Sequence, residues 1–214
     1  MQLYLMSASA PDRNSRSLYD ECYDLWSKVW TQTLNDLDGT PRLYSDGFTR
    51  QEFLCAVEAQ GVITSLCFFR TVDLTLKAHQ DDSWLSPWPV QKINELADSY
   101  RFALIPSWLT VRPEYRKSAG FTQFNFSVIM SELISLLCLH LGVDIALGTP
   151  RKDRSVHSAV AQAGATCILP NVQHHSVPVD LVAFYPEKLR KVVFRHETFN
   201  LWKTRIDLRN KPQE

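Results

Sequence analysis

Two groups of residues in this chain have the types and spacing to do chemistry. The first is Arg116-Lys117-Ser118-Ala119-Gly120, two cations followed by small residues, which lies between an extended apolar run and a mostly apolar helical stretch. A strand that opens through such a loop onto a helix N-terminus offers backbone amides, cationic side chains and a positive dipole to an anion. A pyrophosphate or a phosphopantetheine phosphate suits that cradle. The second is His174-His175, between Pro170 and Pro178. Imidazole titrates near neutrality, so the pair can move protons or simply face solvent. No third His, Cys or carboxylate stands at ligand spacing, so no metal site is expected.

The elements that must position these groups follow from periodicity. Phe102 to Val111 is predicted as a buried strand with Pro106 at a bulge, and Pro113 ends it because it has no amide hydrogen to give a ladder. A helix is predicted from about Gly120 to Leu141, closed at Gly142, followed by a strand from Val143 to Leu147. That unit requires a right-handed crossover and a parallel strand pair. Upstream, residues 2 to 6 read as a strand. From Ser15 onward Leu18, Cys22, Leu25, Trp26 and Val29 mark an amphipathic helix. Tyr44 to Arg50 reads as a polar loop, and Glu52 to Glu58 with Val62 to Val72 as a hairpin turning at Gly61. Trp84 to Pro89 is a stiff apolar segment, either a lid or part of the core, before a short helix from Val90 to Ala97. Downstream, a helix closes at Gly164. Strands are predicted over Thr166–Leu169 and Val179–Tyr185 with a loop between them, and Glu187 to Asp207 reads as one basic amphipathic helix.

Composition narrows the classes. Lys plus Arg and Asp plus Glu each number 23, so total charge gives no reason to expect nucleic acid. With 45% hydrophobic and 21% charged residues the chain is globular rather than disordered. No apolar run is long enough to span a bilayer and the N-terminal residues lack a positive leader, so a soluble, cytoplasmic protein is expected. The basic C-terminal stretch suits an acidic carrier protein or an anionic membrane surface, or is a packing helix with a solvated side. The five cysteines have no C-x-x-C spacing and read as buried free thiols.

The order Val111-x-Pro113-x-Tyr115-Arg116-x-x-Ala119-Gly120 resembles the acyl-donor loop of the GNAT superfamily of N-acyltransferases, roughly V-x-P-x-x-R/Q-x-x-G-x-G/A. Ala119 replaces the usual first glycine and Phe121 the second small residue. The resemblance implies an α/β fold with a single GNAT-type domain over residues 1–186, followed by a C-terminal helix and tail over 187–214. Its sheet is mixed and mostly antiparallel with a central V-shaped splay, and helices cover both faces. Trp26 or Trp30, then Asp46 and Phe48, are loosely similar to acyl-homoserine lactone synthases and long-chain N-acyl amino acid synthases.

By the same resemblance the chain transfers an acyl group, a fatty one by preference, from acyl-CoA or acyl carrier protein to an amino acid or small amine. The amides of Leu109 and Val111 bind the pantetheine arm, and Arg116, Lys117, Ser118, Ala119 and Gly120 hold its phosphate. Asp46, Ser107 through a water, or His175 takes the amine's proton. Val160 stands where many relatives carry a tyrosine general acid, and Asp153 where they carry an asparagine. Two other readings remain open at this point, an acetyl-CoA-dependent N-acetyltransferase of small molecules and a degenerate GNAT-fold protein that binds without turnover.

Overall fold

Gln2–Ser7, with its largely alternating burial, is the first strand, β1. The apolar stripe of the next stretch folds as helix α1, Arg16–Asp38, which buries Cys22, Leu25, Trp26, Val29 and Leu34 and is capped by Gly39 in the left-handed conformation. A short helix, α2, Asp46–Thr49, precedes the hairpin of β2, Phe53–Ala59, and β3, Val62–Asp73. Gln60 and Gly61 both take positive φ, the two-residue turn whose twist matches an antiparallel pair. Helices α3, Lys77–Gln80, and α4, Val90–Ala97, follow, then β4, Phe102–Val111. Two 3-10 turns, Pro113–Tyr115 and Lys117–Ala119, lead to α5, Phe126–Leu141, and β5, Ile145–Gly148. The chain continues through α6, Val156–Gln162, β6, Thr166–His174, β7, Val177–Phe184, α7, Pro186–Leu189, α8, His196–Lys203, and β8, Ile206–Leu208. This computed structural model describes residues 1–120 and 122–209. Phe121 of the donor-loop motif and the last five residues of the predicted tail lie outside the described residues.

The eight strands of the described residues form one mixed sheet in the order β6-β7-β5-β4-β3-β2-β1-β8. Pairs β1/β2, β2/β3, β5/β7 and β6/β7 are antiparallel, and β1/β8 and β4/β5 are parallel. The β4/β5 register consists of Ala103↔Ile145 and Leu104↔Ala146.

The chain divides into two compact units. The first comprises 1–69, 107–130 and 195–214, and the second 70–106 and 131–194. The core of the first is aromatic, with Trp26, Phe48 and Phe68 buried among Leu25, Leu54 and Leu66. The core of the second is mainly aliphatic, with Ile105, Ile145, Leu147, Val179 and Leu181 around Trp88. In the second unit Gly164 has φ +97 and lies so close to Val192 and Leu189 that a Cβ would sit 2.7 Å and 3.0 Å from their methyl groups.

Several expectations change. The helix predicted from Gly120 begins at Phe126, because Gly120 is left-handed and the Asn125 side chain caps Val128 N at 3.3 Å. The break in β4 is at Trp108, with φ 52, and not at Pro106. Tyr44 to Arg50 is not all loop, since α2 forms there and seats Phe48, which is fully buried. Trp84 to Pro89 is core rather than lid, with Leu85 and Trp88 buried and Trp84 packed against them. The loop expected at 170–178 is a continuation of the β6–β7 hairpin, which turns at His175-Ser176. The single C-terminal helix is instead α7, α8 and β8. The chain leaves the helical conformation to add β8 along β1, satisfying backbone groups at an otherwise open edge. Cys22, Cys55, Cys67 and Cys138 are buried, and burial pushes the Cys138 thiol up to about 12, but Cys167 is exposed.

Candidate functional site

Strand β4 changes character at Ser107. Its next residue, Trp108, takes a left-handed φ of 52 that a bulky side chain rarely adopts, at a cost of roughly 1–3 kcal/mol. Local hydrogen bonds hold it there. Thr110 Oγ1 donates to the Trp108 carbonyl at 2.7 Å and accepts from Trp30 Nε1 at 2.9 Å. The thiol of Cys67 donates to the Ser107 carbonyl at 3.2 Å, and burial, which pushes this thiol up, keeps it protonated as a donor.

Beyond the break the strand is regular. Arg112 N donates to Thr64 O on β3 at 2.8 Å. Because successive amides alternate, that of Thr110 faces the same edge, and those of Leu109 and Val111 face away from β3. Leu109 is half-buried and Val111 buried.

The turns that follow are pinned at their root. Arg112 Nε donates to Ile63 O at 2.7 Å and its Nη2 to Glu21 Oε1 at 3.3 Å, while the same carboxylate oxygen accepts Ile63 N at 2.7 Å. Tyr115 is buried, donates to Gln60 Oε1 at 3.1 Å and packs edge-on against Phe126. From this base Arg116 is half-buried, its Nε donating to Val111 O at 3.3 Å, and Lys117, Ser118, Ala119 and Gly120 are exposed. The amides of Ala119 and Gly120 donate to Arg116 O at 2.9 Å and Lys117 O at 3.3 Å. Those two amides are therefore engaged within the turns, while the side chains of Lys117 and Ser118 are exposed.

Asp46 opens α2, exposed and ion-paired with Arg50 at 2.7 Å. Its neighbour Gly47 is wedged against the β4 break, where a Cβ would stand 3.2 Å from Trp108 Cζ2 and 3.3 Å from Trp26 Cζ2. Trp108 packs edge-on against Trp26 and Trp30, with ring centroids 5.7 and 4.7 Å away. Asp46, through Gly47, and Ser107, through Trp108, thus flank the same aromatic cluster of the first unit. Ser107 Oγ, Trp26 Nε1 and Gln51 Oε1 are buried with no hydrogen-bond partner among the described residues. Such atoms each cost roughly 1–3 kcal/mol and mark a region not optimised for stability alone.

His175 belongs to the second unit. It is exposed in the β6–β7 turn with φ 46, and its ring lies 4.2 Å from that of His174. Among the described residues no three His, Cys, Asp or Glu side chains group to hold a metal ion, and no helix is long and apolar enough to cross a membrane.

Sequence reasoning missed the Arg112–Glu21 clamp and the Trp30–Thr110 bond. Partners 91 and 80 residues apart leave no local signal. The one available hint was Arg112 itself, a charge at the end of an apolar run.

No protein-family model and no curated protein sequence matches the chain. Solved structures do. The acyl-homoserine lactone synthase LasI superposes with a TM-score of 0.59 at 11% identity, covering 91% of this chain and 97% of that one. FeeM, an N-acyl amino acid synthase from uncultured soil microbes, gives 0.56 at 9% identity, covering 90% and 95%. BjaI, a CoA-dependent acyl-homoserine lactone synthase solved with SAM and isopentyl-CoA, gives 0.55 at 11% identity, covering 100% and 95%. At these identities the likeness is one of fold, and this chain has the GNAT-type α/β fold shared by those N-acyl synthases.

Proposed function

We propose that the chain is an N-acyltransferase that moves an acyl group, a fatty one by preference, from acyl-CoA or acyl carrier protein to the amine of an amino acid or small amine. The observation that carries the reading is the stretch from Ser107 to Gly120. There a left-handed break, two amides turned away from β3 and a pinned cationic turn follow one another. In this reading the pantetheine arm runs along Leu109 and Val111. Its phosphate meets the side chains of Arg116, Lys117 and Ser118, beside Ala119 and Gly120. The neutral amine attacks the thioester carbonyl, so that a C–N bond forms, the C–S bond breaks and the thiol departs with a proton. The amine's excess proton passes to a base, for which Asp46, Ser107 through a water, and His175 are the candidates. The Leu109 amide steadies the developing oxyanion. Likeness in fold to FeeM, an N-acyl amino acid synthase, supports the amino-acid side of the reading.

The test is thiol release from acetyl-, octanoyl- and palmitoyl-CoA, and from the matching acyl carrier protein, with a panel of amino acids. Turnover should rise with chain length. Arg116→Ala should raise the donor KM about tenfold, one lost charge-assisted contact, with a smaller effect on kcat. Equal use of acetyl-CoA removes the fatty-acyl reading. No thiol release with any pair, despite donor binding, favours a binding protein without turnover.

A further inference from the structure

Thr110 and Trp30 have no part in the proposed chemistry, yet their side chains form a directed relay onto the backbone at the β4 break. An indole N–H only donates and a carbonyl only accepts, so the direction is forced. Trp30 Nε1 gives its proton to Thr110 Oγ1 at 2.9 Å, and the hydroxyl gives its own to the Trp108 carbonyl at 2.7 Å. That carbonyl and the Leu109 N–H belong to one planar, trans peptide group and point in opposite directions. Fixing the oxygen therefore fixes the hydrogen. Trp108 is left-handed, and release of its carbonyl would let the residue relax toward the extended region and swing the plane.

We propose that Thr110 and Trp30 are positioning residues that aim the Leu109 amide by locking the Trp108–Leu109 peptide plane. This rests on the reading of Leu109 as the oxyanion donor. Helix α1 thereby reaches into β4 and sets the direction of a backbone group that no side chain supplies.

The experiment compares the full-length chain with Thr110→Val, which keeps the shape but loses the hydroxyl, Thr110→Ser, which keeps the hydroxyl, and Trp30→Phe, which keeps a ring but loses the N–H. Thr110→Val and Trp30→Phe should lower kcat about 10- to 100-fold, the scale of a misdirected oxyanion donor, and leave the donor KM within about threefold. The double variant should be no slower than the slower single one, because both cut the same relay. Thr110→Ser should restore most of kcat. Independently of turnover, the Leu109 amide resonance in 15N-labelled protein should move in Thr110→Val and Trp30→Phe and return in Thr110→Ser. An unmoved Leu109 resonance in Thr110→Val, or equal slowing by Val and Ser, overturns the proposal. If the wild type turns over no thioester while the resonance moves as expected, the acyl-transfer reading fails and the locked plane is supported.

Discussion

Strand β4 serves two units, and its two halves are built differently. Phe102 to Pro106, in the second unit, contributes to an aliphatic core and pairs in parallel with β5. Ser107 to Val111, in the first, carries a left-handed tryptophan and a hydroxyl without a partner among the described residues, beside a cluster of edge-to-face aromatic rings. The aliphatic half needs only volume and burial to be stable. The aromatic half spends stability on a particular backbone direction, the pattern expected where a fold carries chemistry.

The sharpest way to break this contrast is at Trp26, fully buried against Phe48, Phe68, Tyr23 and Trp108. Trp26→Ala should cost about 3–5 kcal/mol, more than Leu147→Ala in the second unit, near the lower end of about 2–5 kcal/mol. Trp26→Phe should be far milder than its lost volume implies, because it also removes a buried N–H that has no partner among the described residues, a liability of roughly 1–3 kcal/mol. Urea unfolding decides it. A Phe variant as unstable as the Ala variant would show that the indole N–H is not a liability.

A smaller effect separates two glycines. Ala at Gly47 must push one of two indoles aside and should cost about 1–3 kcal/mol, with a change in near-ultraviolet circular dichroism as Trp108 shifts. A Cβ added at Gly148 in the second unit would stand 3.5 Å from Val182 Cγ2, ordinary contact. Gly148→Ala should be neutral or stabilising by about 0.5 kcal/mol. Equal costs at the two positions would mean that the aromatic cluster is no tighter than the aliphatic core.

The same contrast explains what could be read from the sequence. The strand, crossover helix and strand around residues 102–148 were legible because their apolar periodicity is local, and so was the Gln60-Gly61 hairpin. The basic turn at 116–120 was legible by composition. The left-handed Trp108 was not, since a tryptophan carries no turn signal and the bond from Trp30 to Thr110 beside it comes from a distant helix. Nor was β8, where three residues after a helix become a strand only because β1 offers an edge. Short-range pattern thus gave the frame, and contacts far apart in sequence made the details of the candidate site.

The last comparison is electrostatic and lies at the end of β3 in the second unit. Asp73 accepts the Thr75 hydroxyl at 2.6 Å, the Thr75 amide at 3.0 Å and Arg101 Nε at 2.9 Å. The Thr75 hydroxyl is the largest influence and the Arg101 guanidinium helps, against an opposing push from burial. Together they hold the carboxyl at about 2, below its ordinary 3.8. Because the folded value is the lower one, the contribution to stability is complete above the ordinary value and is lost as pH falls through about 2. Asp73→Asn should therefore lower the urea midpoint by a constant amount from pH 5 to 7, and the gap to wild type should close between about pH 4 and 2. Thr75→Val and Arg101→Gln should each move the acid limb of the wild-type profile to higher pH, because each removes a group that holds the carboxyl down. An acid limb unmoved in both variants would mean that neither the hydroxyl nor the ion pair steadies this end of the sheet.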